Sequence, residues 1–129
     1  MYMLDTDTCS YVLKTKSAKL AKRFMVDVGK IAISEIVLAE LRFGADNHQN
    51  RTEQIHDLID DFIVRLEIIP WAASVHYGKL RAMLQNSGTP IGNMDTLIAA
   101  HALSQDSILV TNNTKHFRRV PGLKIDNWM

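Results

Sequence analysis

The chain has 129 residues, 47% of them hydrophobic, and a formal net charge of +1. That is apolar material for one compact domain, too much for a disordered chain, and too neutral a balance for a global field that grips polyanions. No apolar run nears the roughly 20 residues of a membrane span; no basic leader precedes Asp5, and the lone Cys9 leaves no intrachain disulfide, so the chain reads as soluble and cytoplasmic.

Residues 1–4 form a short apolar strand, and Thr6, Asp7 and Thr8 offer caps for a helix starting near Cys9. Cys9, flanked by small residues, reads as a buried inert thiol rather than a nucleophile. Ser17 caps a second helix with Leu20, Ala21, Phe24 and Val28 on one side and Gly29 as its stop. Residues 31–33 are a second strand; Ser34 then caps a helix over 35–43, ended by Gly44. After a polar loop at 46–50, Ile55, Leu58, Ile59, Phe62, Ile63 and Leu66 recur at three- and four-residue steps, and Glu53, Asp57, Asp60 and Asp61 fill the far face. Residues 66–69 are a third strand closed by Pro70. A helix over 72–85 leads to the turn at 89–92, and a second helix over 93–103 starts with Asn93 as its cap. Residues 107–110 are the clearest strand. A polar break at 111–114, a short basic helical turn, and Pro121-Gly122 lead to a last strand at 123–125.

Short, wholly apolar strands alternating with amphipathic helices indicate a mainly parallel sheet covered on both sides. The expected fold class is therefore a three-layer α/β/α single domain spanning 1–129. Sites in such sheets form beyond the carboxyl ends of the strands. Asp5 lies there after the first strand, and Thr111, Asn112 and Asn113 lie there after the strand at 107–110. Strand order is not readable from one sequence, so convergence at one edge is an expectation.

Three carboxylates stand out. Asp5 ends the first strand; Asp7 is the better cap for the following helix, which leaves Asp5 with less structural purpose. Glu40 shares a helix side with Ile36, Val37 and Gly44, where an unpaired buried carboxylate costs several kcal/mol, about what an isolated charge costs. Asp95 opens a helix of small apolar residues, Leu97, Ile98, Ala99, Ala100 and Ala102. The helix dipole favours an acid there, yet Asn93 already serves as the cap. Gathered together, the three make a set of hard oxygen ligands for Mg²⁺ or Mn²⁺, with no Cys or His metal spacing beside it. The usual work of such a set is phosphate-ester chemistry. His101, with no second His four residues away, reads as a core residue, and Trp71, Tyr77 and Trp128 read as packing groups. Two basic clusters, Lys14-Lys16-Lys19-Lys22-Arg23 and Lys115-His116-Arg118-Arg119, are either local phosphate grips or solvated faces.

The segments Leu4-Asp5-Thr6-Asp7-Thr8-Cys9, SEIVLAELRFG from Ser34, GTPIGNMDTLIAAH from Gly88, and VTNNTKHFRRVPGLKIDNW from Val110 together resemble the PIN-domain ribonucleases, and more narrowly the VapC-type toxins of bacterial toxin–antitoxin pairs. Each motif alone is weak; four in order along most of the chain are specific. The resemblance implies a PIN-like fold and a Mg²⁺- or Mn²⁺-dependent endoribonuclease acting on structured RNA, often tRNA. It also implies a homodimer and a cognate antitoxin that masks the site. Asp5, Glu40 and Asp95 carry over as the catalytic acids, with Asp5 and Asp95 as metal ligands. Two departures are visible. Asp7 stands where many members have Asn, and Asn112 and Asn113 stand where many carry a fourth acid. Asp7, Thr111, Asn112 and Asn113 are thus auxiliary residues of the expected site.

One enzymatic rival is a haloacid-dehalogenase-like phosphatase, since Asp5-Thr6-Asp7-Thr8 fits D-x-D-x-T after a strand, with Asp5 as nucleophile. Its later acidic motif is missing after Val110. A receiver module would need an acceptor Asp after the third strand, where Pro70-Trp71 stand instead. A catalytically silent, partner-binding version of the domain is the third alternative, and the three intact acids speak against it.

Overall fold

The structure, a computed structural model, describes residues 1–14 and 17–129. The elements in chain order are β1 (Tyr2–Leu4), α1 (Thr6–Leu13), α2 (Ala18–Asp27), β2 (Ile31–Ser34), α3 (Glu35–Asp46), α4 (Thr52–Ile63), β3 (Glu67–Ile69), α5 (Ser74–Asn86), α6 (Asn93–Ser104), β4 (Ile108–Val110), α7 (Thr114–Phe117) and β5 (Ile125–Asp126). Among the described residues the strands form one parallel sheet in the order β3-β2-β1-β4-β5, flanked by helices in a three-layer arrangement. None of the described helices is long and apolar enough to cross a membrane.

The inner strands β2, β1 and β4 are almost wholly apolar because both faces are covered, whereas the edge strands β3 and β5 admit Glu67 and Asp126. Met3 and Leu4 are buried, all four residues of β2 are buried, and so are Leu109 and Val110. β1 is the middle strand, with Tyr2 in register with Ile31 on one side and Ile108 on the other. The chain winds outward from β1 to β2 and β3, then returns to place β4 on β1's other side. The order therefore reverses between β1 and β4, and a crevice opens beyond their carboxyl ends. Backbone bonds extend the ladder there: Asp5 N–H donates to Val110 C=O at 3.0 Å, and Thr111 N–H donates to Asp126 C=O at 2.9 Å.

The helices bring the rest of the core. α6 is buried over Thr96, Ile98, Ala99, Ala100, His101 and Ala102, and its alanines let its backbone lie close to its neighbours. Phe24 of α2 stacks on Phe62 of α4 with ring centroids 5.3 Å apart. Trp128 packs edge-on against Tyr2, and Trp71 donates its indole N–H to Leu97 C=O at 3.0 Å, so these aromatics serve packing as expected. His101 is fully buried and burial lowers its pKa, keeping it neutral. Its Nδ1 lies 2.7 Å from Ser34 Oγ, which ties α6 to the start of α3.

Several boundaries differ from the expected ones. Asp5, not Asp7, caps α1: its backbone is extended, and its carboxylate accepts from Thr8 N–H at 2.9 Å. Gly44 does not end α3, which runs on to Asp46 because Ala45 has a fully buried place to fill. Asn93 is the first helical residue of α6 rather than its cap. Gly92 holds that place with φ 94°, a left-handed conformation that glycine adopts without strain. Ser17 and Ser34 cap α2 and α3 as expected. Lys16 of the first basic cluster lies outside the described residues.

Candidate active site

Four carboxylates meet beyond β1 and β4. Asp5, Asp7, Glu40 and Asp95 line a polar cavity of about 130 Å³ together with Thr6, Ile98, Asn113 and Phe117. Each arrives on a different support. Asp5 is the junction of β1 and α1, Asp7 stands on the first turn of α1, Glu40 in mid-α3, and Asp95 on the first turn of α6. A larger cavity of about 480 Å³ between α1, α3 and α4 shares Glu40 with it, but its floor is apolar, with Leu41, Ala45, Ile55 and Ile59, and it offers no second acid.

Asp5 is held hardest. It is 6% exposed, its Oδ1 accepts from Thr8 N–H, and its Oδ2 accepts from the Thr111 hydroxyl at 2.5 Å. Thr111 Oγ1 in turn accepts from Asn113 N–H at 2.9 Å, so the loop after β4 is locked to the end of β1. Glu40 is only partly buried, and the Thr6 hydroxyl donates to its Oε1 at 2.6 Å. Asp95 is less confined: its Oδ2 lies 4.0 Å from His116 Nδ1, with roughly a third of its side chain exposed.

Crowding has an electrostatic consequence. Burial pushes the Asp5 pKa above its ordinary value, against the hydrogen bonds from Thr111 and Thr8 that hold it down, with Asp7 adding a further upward push. Burial also raises Asp95, followed by the charge of Asp5; His116 opposes this, and Glu40 and Asp7 add to it. Raised carboxylate pKa values fix the sign of a pH effect. Below the ordinary carboxylate value both folded and unfolded chains hold the protons, and neither is penalised. As pH rises, the unfolded chain releases them first, so stability falls until the folded pKa values are passed. The metal-free protein is therefore expected to show a urea midpoint that falls as pH rises from the ordinary carboxylate value of 3.8, and Asp95→Asn a smaller fall over the same range. Equal drops in the two proteins would assign the pH dependence to other groups.

For a divalent cation these donors are right in kind, being hard oxygens around a small polar space. Among the described residues no three acid, His or Cys side chains are drawn close enough to enclose an ion as they stand. The charge crowding itself is what a cation would relieve.

The expected site residues are brought together with one exception. Asn112 is exposed, and its Oδ1 accepts from Asn127 at 3.3 Å, so it turns away from the acids while Asn113 lines the cavity. Cys9 is fully buried, with burial and the nearby Asp5 raising its pKa well above the ordinary thiol value, so it is no nucleophile. A disulfide reagent is expected to leave native Cys9 unmodified and to label it in urea; fast labelling of the native protein would contradict this. Thr6, His116 and Phe117 were not singled out by the sequence as site residues. Of the two basic clusters, the one on and after α7 adjoins the cavity, since Asn113 just before it and Phe117 within it both line the wall.

A family model for the PIN domain matches residues 2–123. Among curated proteins the chain is 40% identical over 129 residues to a tRNA(fMet)-specific endonuclease VapC of Shigella flexneri, covering 98% of this chain and 97% of the relative. It is also 42% identical over 132 residues to ribonuclease VapC2 of Rickettsia felis, covering 99% and 98% of the two chains. The chain belongs to the VapC ribonucleases of the PIN-domain family. Its fold agrees: a chain in the crystal structure of VapBC2 from Rickettsia felis, bound to a DNA fragment from their promoter, superposes with a TM-score of 0.93 at 41% identity, covering 99% of this chain and 98% of that one. Membership of the VapC family weighs against the phosphatase rival, as does the absence of any acid at Asn112 or Asn113 directly after β4.

Proposed function

We propose that this chain acts, as one domain in the cytoplasm, as a Mg²⁺- or Mn²⁺-dependent endoribonuclease. It is the toxin of a toxin–antitoxin pair, works as a homodimer, and is restrained by a cognate antitoxin. Its substrate is structured RNA, tRNA foremost. The observation that carries this reading is the cavity at the β1–β4 crevice with Asp5, Asp7, Glu40 and Asp95 on its wall. The relatives support the substrate and the pairing, since one is a tRNA(fMet)-specific endonuclease and the matched structure is of VapBC2.

Asp5 and Asp95 would hold the cation. When bound, it lowers the pKa of a water and stabilises charge developing on the phosphate. Asp5 is suited to a fixed role because Thr8 and Thr111 fix both of its oxygens. Glu40 has one oxygen taken by Thr6, and the other would complete the ligand shell or orient the attacking water. Asp7, exposed at the mouth, adds negative charge where the family often has an amide, and Asn113 places a neutral polar group opposite.

The test is cleavage of total RNA by purified, antitoxin-free protein with Mg²⁺, Mn²⁺ or EDTA, beside Asp5→Asn. Asparagine caps a helix as well as aspartate does, so that variant should stay folded. Discrete metal-dependent fragments that vanish in the variant are expected, and their ends would identify the RNA. Intact RNA in every lane from folded protein would overturn the reading.

A further inference from the structure

Glu40 stands on the partition between two cavities. It lines the acidic one of about 130 Å³ and also the larger one of about 480 Å³ between α1, α3 and α4. The acidic cavity carries Asp5, Asp7 and Asp95, whereas Lys14, His48 and Arg51 line the larger one. A partly buried glutamate has several side-chain torsions, each with its own staggered wells. Charge alone would turn it away from the other acids and towards the larger cavity.

One bond opposes this. The Thr6 hydroxyl donates to Glu40 Oε1 at 2.6 Å, and among the described residues it is the only hydrogen-bond partner of the Glu40 carboxylate. Thr6 lines the acidic cavity and opens α1 directly after Asp5, whose own oxygens are held by Thr8 and Thr111. The bond therefore sets Glu40 beside the best-held acid of the site across 34 positions of sequence. Packing alone does not call for it, since Cys9 of α1 and Val37 and Leu41 of α3 already share the buried core.

We propose that Thr6 is a positioning residue for cleavage: its hydroxyl selects the Glu40 conformer that faces the acidic cavity over the one that turns to the larger cavity. This rests on the ribonuclease reading above. With Oε1 held by Thr6, Oε2 is the oxygen left for the reaction. A carboxylate that leaves its place lowers turnover, because a misplacement of about 1 Å costs on the order of 10²-fold. RNA affinity, which comes mainly from phosphate contacts, should change little.

Thr6→Val keeps the shape and removes the donor, Thr6→Ala removes it with less bulk, and Thr6→Ser keeps it. With total RNA as the probe, kcat is expected to fall about 10- to 100-fold in the Val and Ala variants while KM stays within about twofold, and the Ser variant should stay near wild type in both. Thr6→Val should add nothing to Glu40→Ala, which has no carboxylate left to place. Crystal structures of the metal-free proteins read the side chain directly. Glu40 should face the acidic cavity in wild type and Thr6→Ser, and turn to the larger cavity or divide between the two in Thr6→Val. A purely structural bond would instead lower the urea midpoint and leave kcat of the folded protein alone. Unchanged kcat in the Val and Ala variants, an unmoved Glu40 in Thr6→Val, or loss of the fold in both would overturn the inference and leave the ribonuclease reading standing. Folded wild-type protein that cleaves no RNA would overturn both.

Discussion

Asp95→Asn is expected to lower RNA cleavage at least about 10³-fold, as removal of a catalytic carboxylate from a metal site does, with the urea midpoint at neutral pH unchanged or raised. The two outcomes belong together. Asp95 makes no hydrogen bond to another element among those described, and it faces the charges of Asp5, Glu40 and Asp7. Removing its charge relieves that repulsion. It also removes a favourable interaction with the start of α6, of about 0.3–1 kcal/mol at a helix N-terminus. Single-turnover cleavage of a labelled RNA and urea unfolding of the same preparations would measure both. Loss of activity together with a large loss of stability would make Asp95 a structural residue of α6.

Phe117→Ala should be the most damaging single change near the site that touches no carboxylate. Phe117 is 1% exposed and lines the acidic cavity from the far side. Deleting a fully buried aromatic ring costs about 3–5 kcal/mol, a large share of the ~5–15 kcal/mol that holds a domain together. The local effect is larger still. α7 has four residues and no side-chain cap, so the ring is what seats Asn113 and His116 at the rim. Cleavage is therefore expected to fall well below wild type even at temperatures where circular dichroism shows the variant folded. Phe117→Leu, which keeps an apolar plug, should retain most of the stability. A Phe117→Ala protein with wild-type cleavage would show that α7 plays no part in the site.

The element order and the α/β class were readable because the inner strands are short apolar runs and the helices carry a period near four. The edges were harder. Asp5 and Asp7 are both good caps, and only the extended backbone at Asp5 decides between them. Gly44 looked like a stop, but burial of Ala45 one residue on outweighs the roughly 1 kcal/mol that glycine costs within a helix. At the site, Asp5, Glu40 and Asp95 were visible because each lacked a sufficient structural reason where it stood. Thr6 and His116 were not, because a threonine after an aspartate and a histidine in a basic run have ordinary explanations. Their meaning comes from residues 34 and 21 positions away, Glu40 and Asp95, and thus from a strand order that no local pattern encodes.

The central position of β1 also governs timing. β1 is completed by β4, made more than a hundred residues after it, and Asp5 meets Thr111 only then. At about 5–20 residues per second, roughly 5 to 20 s separate synthesis of the first acid from synthesis of the loop that holds it. A nascent chain that has passed Asp95 but not yet reached that loop carries all four carboxylates but lacks the Thr111 hydroxyl that holds Asp5. The cavity therefore takes its described form only after β4 and the loop that follows it have been made.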